Sequence, residues 1–498
     1  MPRLLALALL LAFARLLAAD APRPNFVLIN IDDLGYREIG AFGSPHRTPA
    51  LDRMAAEGRK LTSHYAAPVC SPSRAALMTG SYPKRALPIP HVLFPNAAIG
   101  LHPDEQTIAD VLHAAGYATA AIGKWHLGDQ PEFLPRRQGF DYYFGLPYSN
   151  DMGPAADGTK SNFGKQPNAA QAAKAKTAVP KKAAAPAADD GIGIRSGVQP
   201  PLALIENDTV IGRIRAEDQV PLVRRYTEKT VSFIRDAKAK DRPFFIYLAH
   251  NAVHFPLYPS EKFRGSSPNG LLGDWVQEVD WSVGQVLDAL RELKLDRTTF
   301  VLFVSDNGGP TNQGANNGAL RGSKGSTLEG GIRVPGLAWW PGKIPAGTST
   351  DAITTMMDVL PTFAKLARAP LAADRKIDGV DLWPILVGAP PIPPRDEFLY
   401  HRGLLLEAVR SGPWKLHLAK NELYNLTSDI GEATDISAQH PEIVARLTAI
   451  ADASKSDLGR DGIGPGVRAL GRVAQPQPLI ALDGTVRADV AGPQKSFP

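Results

Sequence analysis

The sequence predicts an α/β fold: a mainly parallel central sheet flanked by helices, followed by a small C-terminal α+β domain carrying an antiparallel sheet. Three observations carry this. Four short apolar runs lack the alternation of a half-exposed strand, so they suit strands covered on both faces. Segments with helical apolar spacing separate them, the strand-helix-strand order of a parallel sheet. Beyond the proline-rich stretch 390–394, patterning changes to short, closely spaced strand-like runs.

The chain opens with Arg3, a Leu/Ala-rich stretch and Ala19-Asp20-Ala21, which reads as a secretory signal peptide over 1–21. The apolar stretch is too short to span a bilayer, so the mature chain is expected in the periplasm or outside the cell, with no transmembrane segment. A large catalytic domain is predicted over 22–388. Its first strand, Asn25-Phe26-Val27-Leu28-Ile29-Asn30-Ile31, runs into Asp32-Asp33. The run 117–122 leads into Gly123-Lys124-Trp125-His126, 244–249 into His250-Asn251 and then His254, and 300–305 into Asp306-Asn307. In open parallel sheets ligands bind beyond the carboxyl ends of the strands, where these polar residues fall.

Between the strands, Thr107 is a cap for a helix over 108–115 with Gly116 as its stop, and 221–237 and 274–293 have helical spacing. Pro72 suits a first helical turn, which places Cys70 at a helix N-terminus where free N–H groups favour an anion. A small α+β domain over 389–460 is expected to hold strands at 397–401, 407–410 and 414–418 and a helix at 441–453. Residues 461–498 read as a loosely packed tail.

The formal charge of +5 comes largely from one segment: 153–200 carries seven basic residues against three aspartates, a net +4. Rich in Ala, Lys, Pro and Gly, it has too little apolar surface to offset the cost of ordering, so a disordered surface insertion is expected. A single aromatic residue, Phe163, lies among its lysines, too few for a stacking platform, which argues against nucleic acid as a partner.

Cys70 is the only cysteine, in the run Cys70-Ser71-Pro72-Ser73-Arg74, so it makes no intrachain disulfide and stands out for its chemistry. Asp32, Asp33, Asp306 and Asn307 together offer a hard-oxygen cage for Ca²⁺ or Mg²⁺, while zinc fits poorly without thiolate pairs or a histidine pair. Lys124 and His126, two apart, would project to one side of an extended segment as charge clamp and proton carrier. His254 precedes Phe255-Pro256, and Lys324 sits in the glycine-rich loop 320–331.

These runs resemble the signature of the formylglycine-dependent sulfatase family, sulfuric ester hydrolases of the arylsulfatase type in the alkaline phosphatase superfamily. The resemblance extends from residue 25 to the end of the small domain. It implies an alkaline-phosphatase-like sheet, and a formylglycine-generating enzyme that converts Cys70 to 3-oxoalanine (formylglycine), whose hydrate is the nucleophile. It also implies a calcium or magnesium ion held by Asp32, Asp33, Asp306, Asn307 and residue 70. By the same resemblance Arg74 and Lys124 support the hydroxylate, His126 partners its second hydroxyl, and His254 and Lys324 lie beside the leaving-group oxygen and the sulfate. The implied substrate is a sulfated sugar or an aryl sulfate; the segments 400–403 and 407–410 are similar to relatives acting on 6-sulfated N-acetylgalactosamine or galactose. The insertion 153–200 departs from the family pattern. Two rival readings are a phosphate mono- or diester hydrolase on the same sheet and a protein that binds sulfated glycans without cleaving them.

Overall fold

Alternate residues of β1 (Asn25–Ile31) enter opposite cores, which is why 26–29 form an unbroken apolar run: Phe26 and Leu28 point to one, Val27, Ile29 and Ile31 to the other. The computed structural model describes residues 23–165, 190–195, 198–389 and 395–492. The predicted signal peptide, the proline stretch 390–394 and most of the basic insertion lie outside the described residues.

In chain order the strands of the large sheet are β1, β2 (Arg59–Tyr65), then, after a short β3 (Ile99–Gly100) outside it, β4 (Ala118–Lys124), β5 (Tyr142–Leu146), β6 (Leu202–Glu206), β7 (Thr209–Ile214), β8 (Phe244–His250), β9 (Thr299–Ser305), β10 (Arg333–Trp339), β11 (Thr348–Thr350) and β12 (Thr354–Thr355). Its five middle strands, in the order β9-β1-β8-β4-β5, are all parallel. The margins bring antiparallel pairs, β10 on β9 and β2 on one side, β6 on β5 and β7 on the other. The carboxyl ends of β1, β8, β9 and β4 therefore open on one edge.

Helices cover both faces. On one lie α2 (Cys70–Thr79), α3 (Ile108–Ala114) and α6 (Val359–Ala367); on the other lie α1 (Pro49–Glu57), α4 (Leu222–Ala239) and α5 (Gly270–Glu292). Thr107 caps α3 as expected, its hydroxyl accepting from Asp110 N (3.1 Å) while the Asp110 carboxylate accepts from Thr107 N (2.9 Å). The α5 helix starts at Gly270, earlier than the expected 274. The Asp274 carboxylate accepts from Gly265 N and Ser267 N and braces the preceding turn.

The C-terminal sheet runs β13 (Glu397–Arg402), β14 (Leu405–Ser411), β15 (Trp414–His417) and β16 (Glu422–Asn425), all antiparallel neighbours. Helix α7 (Pro441–Ala453) closes it over Leu406, Val409, Leu416, Leu423, Leu447 and Ala451. Two expectations need correction. Of the tail, expected to be loosely packed over 461–498, the described residues 461–492 lie on the large domain: β17 (Gly471–Arg472) pairs with β3, Ile480 is buried, and Arg468 grips Glu105 at 2.6 and 2.9 Å. Its apolar residues fill gaps in another element's core, so they show no period of their own. The insertion, expected to be disordered from 153 to 200, is anchored at both edges. Asp157 is buried against Arg213 (2.7–2.8 Å), and Ile192 accepts a hydrogen bond from Phe94 N (2.8 Å).

Candidate active site

Backbone bonds fix the strand exits to one another. Asp32 N donates to Ala252 O, Val253 N to Asp32 O, and Asp306 N to Ile31 O, at 2.7–3.0 Å. Asp33 takes φ +63°, a left-handed turn that aspartate tolerates better than most residues. Gly123 is required where β4 meets β8: at φ +114° a Cβ would lie 1.8 Å from Ala249 O. That close approach delivers Lys124 to the edge where Asp32 emerges.

Cys70 is the first residue of α2, a helix buried along its whole length. Its thiol faces Asp32 Oδ1 (3.3 Å) and Asn307 Oδ1 (3.5 Å), and Lys324 Nζ approaches the sulfur at 3.6 Å. One turn along, Arg74 donates to Asp306 Oδ2 through Nε (2.9 Å), with Nη2 in ion-pair range of the same oxygen (2.8 Å), and donates through Nη1 to Lys124 O (2.6 Å). Lys124 Nζ donates to Asp32 Oδ2 (2.5 Å) and Ser149 Oγ (3.0 Å), and Lys324 Nζ to Asp33 Oδ1 (2.6 Å). His254 Nε2 stands 3.7 Å from Asp33 Oδ2 and 3.4 Å from Ser149 Oγ.

His126 corrects the simple alternation argument. The strand ends at Lys124 and His126 has φ +65°, so its place is set by a turn and by the bond from Nε2 to Leu93 O (2.9 Å). A carbonyl partner requires the proton on Nε2, which leaves the buried Nδ1 as an unpaired acceptor. Burial, then Lys124 and Arg74, push its pKa well below the usual histidine range, so the ring is neutral. His250 turns away from this edge to Ser282 Oγ (3.0 Å).

Asp32, Asp33 and Asp306 face Arg74, Lys124 and Lys324, three carboxylates against three cations. Burial raises the Asp32 carboxyl, but Lys124, His254, Arg74 and Lys324 outweigh it and hold it well below the carboxylate range. Asp306 goes the other way, raised by burial and by Asp32 despite Arg74. Burial opposes charge on Lys124 and Lys324, yet Asp32 for the first and Asp33 for the second keep them cationic, with pKa values raised. Burial, Asp306 and Asp32 push the Cys70 thiol well above its ordinary value. An unmodified thiol here is protonated at neutral pH and a poor nucleophile.

One ligand atom each from Asp32, Asp33, Cys70 and His254 lies within 4.8 Å of the others. Asn307 Nδ2 donates to Asp33 Oδ1 (2.7 Å), which turns its Oδ1 toward Cys70, and Asp306 Oδ1 accepts from Asp33 N (3.3 Å). This oxygen-rich set fits a hard divalent cation. Two residues enter the site without having been singled out in the sequence: Ser149, which joins Lys124 to His254, and Tyr247, whose hydroxyl accepts from Arg74 (3.3 Å). Ser149 follows β5, the next parallel strand, so strand-end position was the available signal. Tyr247 had none, since it reads as one more core aromatic.

Against known proteins, the family model described as Sulfatase matches residues 24–369, which contain every residue of this site. The chain belongs to the sulfatase family. Arylsulfatase A of Homo sapiens is 38% identical over 489 residues, 95% of this chain and 88% of that protein. N-acetylgalactosamine-6-sulfatase of Canis lupus familiaris is 38% identical over 432 residues, 82% of this chain and 75% of that one. Among solved structures, Ps i-CgsB in complex with k-i-k-neocarrahexaose superposes with a TM-score of 0.71 at 31% identity, covering 87% of this chain and 92% of that one. This sulfatase is accordingly a sulfuric ester hydrolase on an alkaline-phosphatase-like sheet, and among its described residues no helix is long and apolar enough to cross a membrane.

Proposed function

We propose that this sulfatase hydrolyses sulfate esters of carbohydrates after Cys70 has been oxidised to formylglycine by a formylglycine-generating enzyme, with calcium or magnesium held by Asp32, Asp33, Asp306, Asn307 and residue 70. The observation that carries it is Cys70 itself: the first residue of the Cys-x-Pro-Ser-Arg helix, met by Asp32 and Asn307 from two strand ends and by Lys324 from a loop. When present, the aldehyde hydrate supplies an oxygen nucleophile with a second hydroxyl, and the cation supplies Lewis-acid polarisation of that oxygen and of the sulfate.

The chain's own residues do the rest. Lys124, Arg74 and Lys324 give fixed positive charge to an anionic substrate without reorganisation. His126, neutral and with a free Nδ1 lone pair, accepts the proton of the second hydroxyl, so that the carbonyl re-forms and sulfate leaves. His254, partly open to solvent and touching Ser149, gives a proton to the departing alcohol oxygen, and Lys324, at the other oxygen of the same Asp33 carboxylate, helps it. The rim beside Lys324 carries the exposed His91, its ring parallel to Phe94 and close enough to Lys324 and Arg195 to feel their charge, which suits a sugar bearing anionic groups. Relatives named N-acetylgalactosamine-6-sulfatase and a neighbour solved with neocarrahexaose support a sulfated carbohydrate. The N-terminal 21 residues support export to the periplasm or the medium.

The test is direct: co-express the chain with a formylglycine-generating enzyme and measure inorganic sulfate released from sulfated oligosaccharides, with phosphate esters in parallel. Sulfate release that Cys70→Ala abolishes is expected. Faster turnover of phosphate esters, or binding of sulfated sugar without release, would overturn the reading.

A further inference from the structure

The loop 320–331 that presents Lys324 is rich in glycine: Gly322 and Gly325 turn it at φ +93° and +89°, and Gly330 and Gly331 follow. Toward the site it is held by a main-chain bond from Gly325 N to Pro68 O (2.8 Å), two residues before Cys70, while Gly330 N to Arg321 O (2.7 Å) closes the loop on itself.

From the opposite side it is gripped by the C-terminal sheet. Lys415 on β15 is fully buried and donates Nζ to Thr327 O (2.8 Å) and to Glu329 Oε1 (2.8 Å), with Glu432 Oε1 at 2.9 Å. Glu432, just past β16, accepts from Glu329 N (2.7 Å) through its carboxylate and from Arg321 Nη1 (2.7 Å) through its carbonyl. Glu407 on β14 accepts from Thr327 Oγ1 (2.8 Å). Tyr65 and Tyr400 complete the cluster by donating to the two oxygens of Glu329 (2.6 and 3.1 Å). Three residues of the loop, on both sides of Lys324, are thus tied to groups of the small domain, and Glu329 is held in addition by Tyr65 of β2. Burial of Lys415, Glu329 and Glu432 makes the arrangement costly to leave half-formed.

We infer that Lys415 is a positioning residue for Lys324, and that the small C-terminal sheet belongs to the catalytic apparatus: through Thr327, Glu329 and Glu432 it fixes how far the Lys324 ammonium reaches toward residue 70. This rests on the role given above to Lys324. A misplacement of about 1 Å in a charge clamp costs about a hundredfold in turnover, so a change in Lys415 or Thr327 reaches the chemistry without touching substrate.

The test is a double-mutant cycle with 4-nitrophenyl sulfate as probe, paired with hydrogen–deuterium exchange of the full chain. Lys415→Met removes the cation at similar length. Thr327→Val removes only the Glu407 tether and serves if Lys415→Met fails to fold. Expected are faster exchange confined to 318–331, a drop in kcat of about ten- to a hundredfold with little change in KM, and less than twofold further loss when either change is added to Lys324→Ala. Losses that multiply fully in the Lys324→Ala background, or unchanged exchange in the loop, would overturn the inference. Absence of sulfate release by the wild type would instead strike the proposed function, and exchange would still read the grip.

Discussion

Replacing Arg74 by methionine tests the electrostatic balance of the site most severely. Both Arg74 and Asp306 are fully buried, and the change removes the ion pair and one hydrogen bond to the Asp306 carboxylate, one hydrogen bond to Lys124 O and one to Tyr247. Removing one partner of such a pair costs about 3–5 kcal/mol because the other charge is left without compensation. That is a large share of the 5–15 kcal/mol typical of a folded domain. Asp306 already titrates above the usual carboxylate range through burial and Asp32, and loss of Arg74 raises it further. A raised folded-state value means the folded protein binds the proton more readily, so the deficit of Arg74→Met shrinks as pH falls toward the unfolded value of 3.8 and is largest at neutral pH. Adding Asp306→Asn removes the orphaned charge and restores most of the loss. Urea unfolding in the presence of chelator, followed by tryptophan fluorescence and circular dichroism at pH 5 and pH 8, reads all of this. A single variant within about 1 kcal/mol of wild type, or a double variant no more stable than the single, would refute the argument.

Other expectations follow from the same geometry. Cys70→Ser gives at most one turnover, because a serine sulfate lacks the second hydroxyl on which His126 acts; pre-steady-state sulfate release reads this, and steady turnover would refute it. Dialysis against a chelator abolishes sulfate release and calcium or magnesium restores it; activity that survives chelation would contradict the oxygen cage assigned to the cation. Glu278, buried in α5 with Ser260 N donating to it, titrates at about 7 instead of 4.5 because of burial. Its folded-state pKa is raised, so stability falls as pH climbs from 4.5 to 7, by about 3 kcal/mol at 1.36 kcal/mol per unit. Glu278→Gln is therefore more stable than wild type above pH 7 and equal to it below pH 4.5; thermal melts that differ equally at both ends would refute the assignment.

The parallel centre of the sheet was legible because strands buried on both faces are apolar over their middles, as β1, β8 and β9 are. The site was legible for a related reason: a strand that ends in Asp32-Asp33 or Asp306-Asn307 breaks its own pattern with groups that are costly to bury unless they have partners. Cys70 was readable from its run and from Pro72. The grip on Lys324 was not, because Glu329, Lys415 and Glu432 look like ordinary surface charges until two sheets meet over them. The tail misled for a similar reason. Ile480 and Val490 complete a core belonging to other elements, so local spacing carried no sign of their burial.

The most direct test of the central claim is mass spectrometry of the peptide bearing residue 70, from protein co-expressed with a formylglycine-generating enzyme. The account predicts an aldehyde or its hydrate at that position. A thiol that persists in a sample active toward sulfate esters would contradict it, since hydrolysis would then run without the nucleophile proposed here.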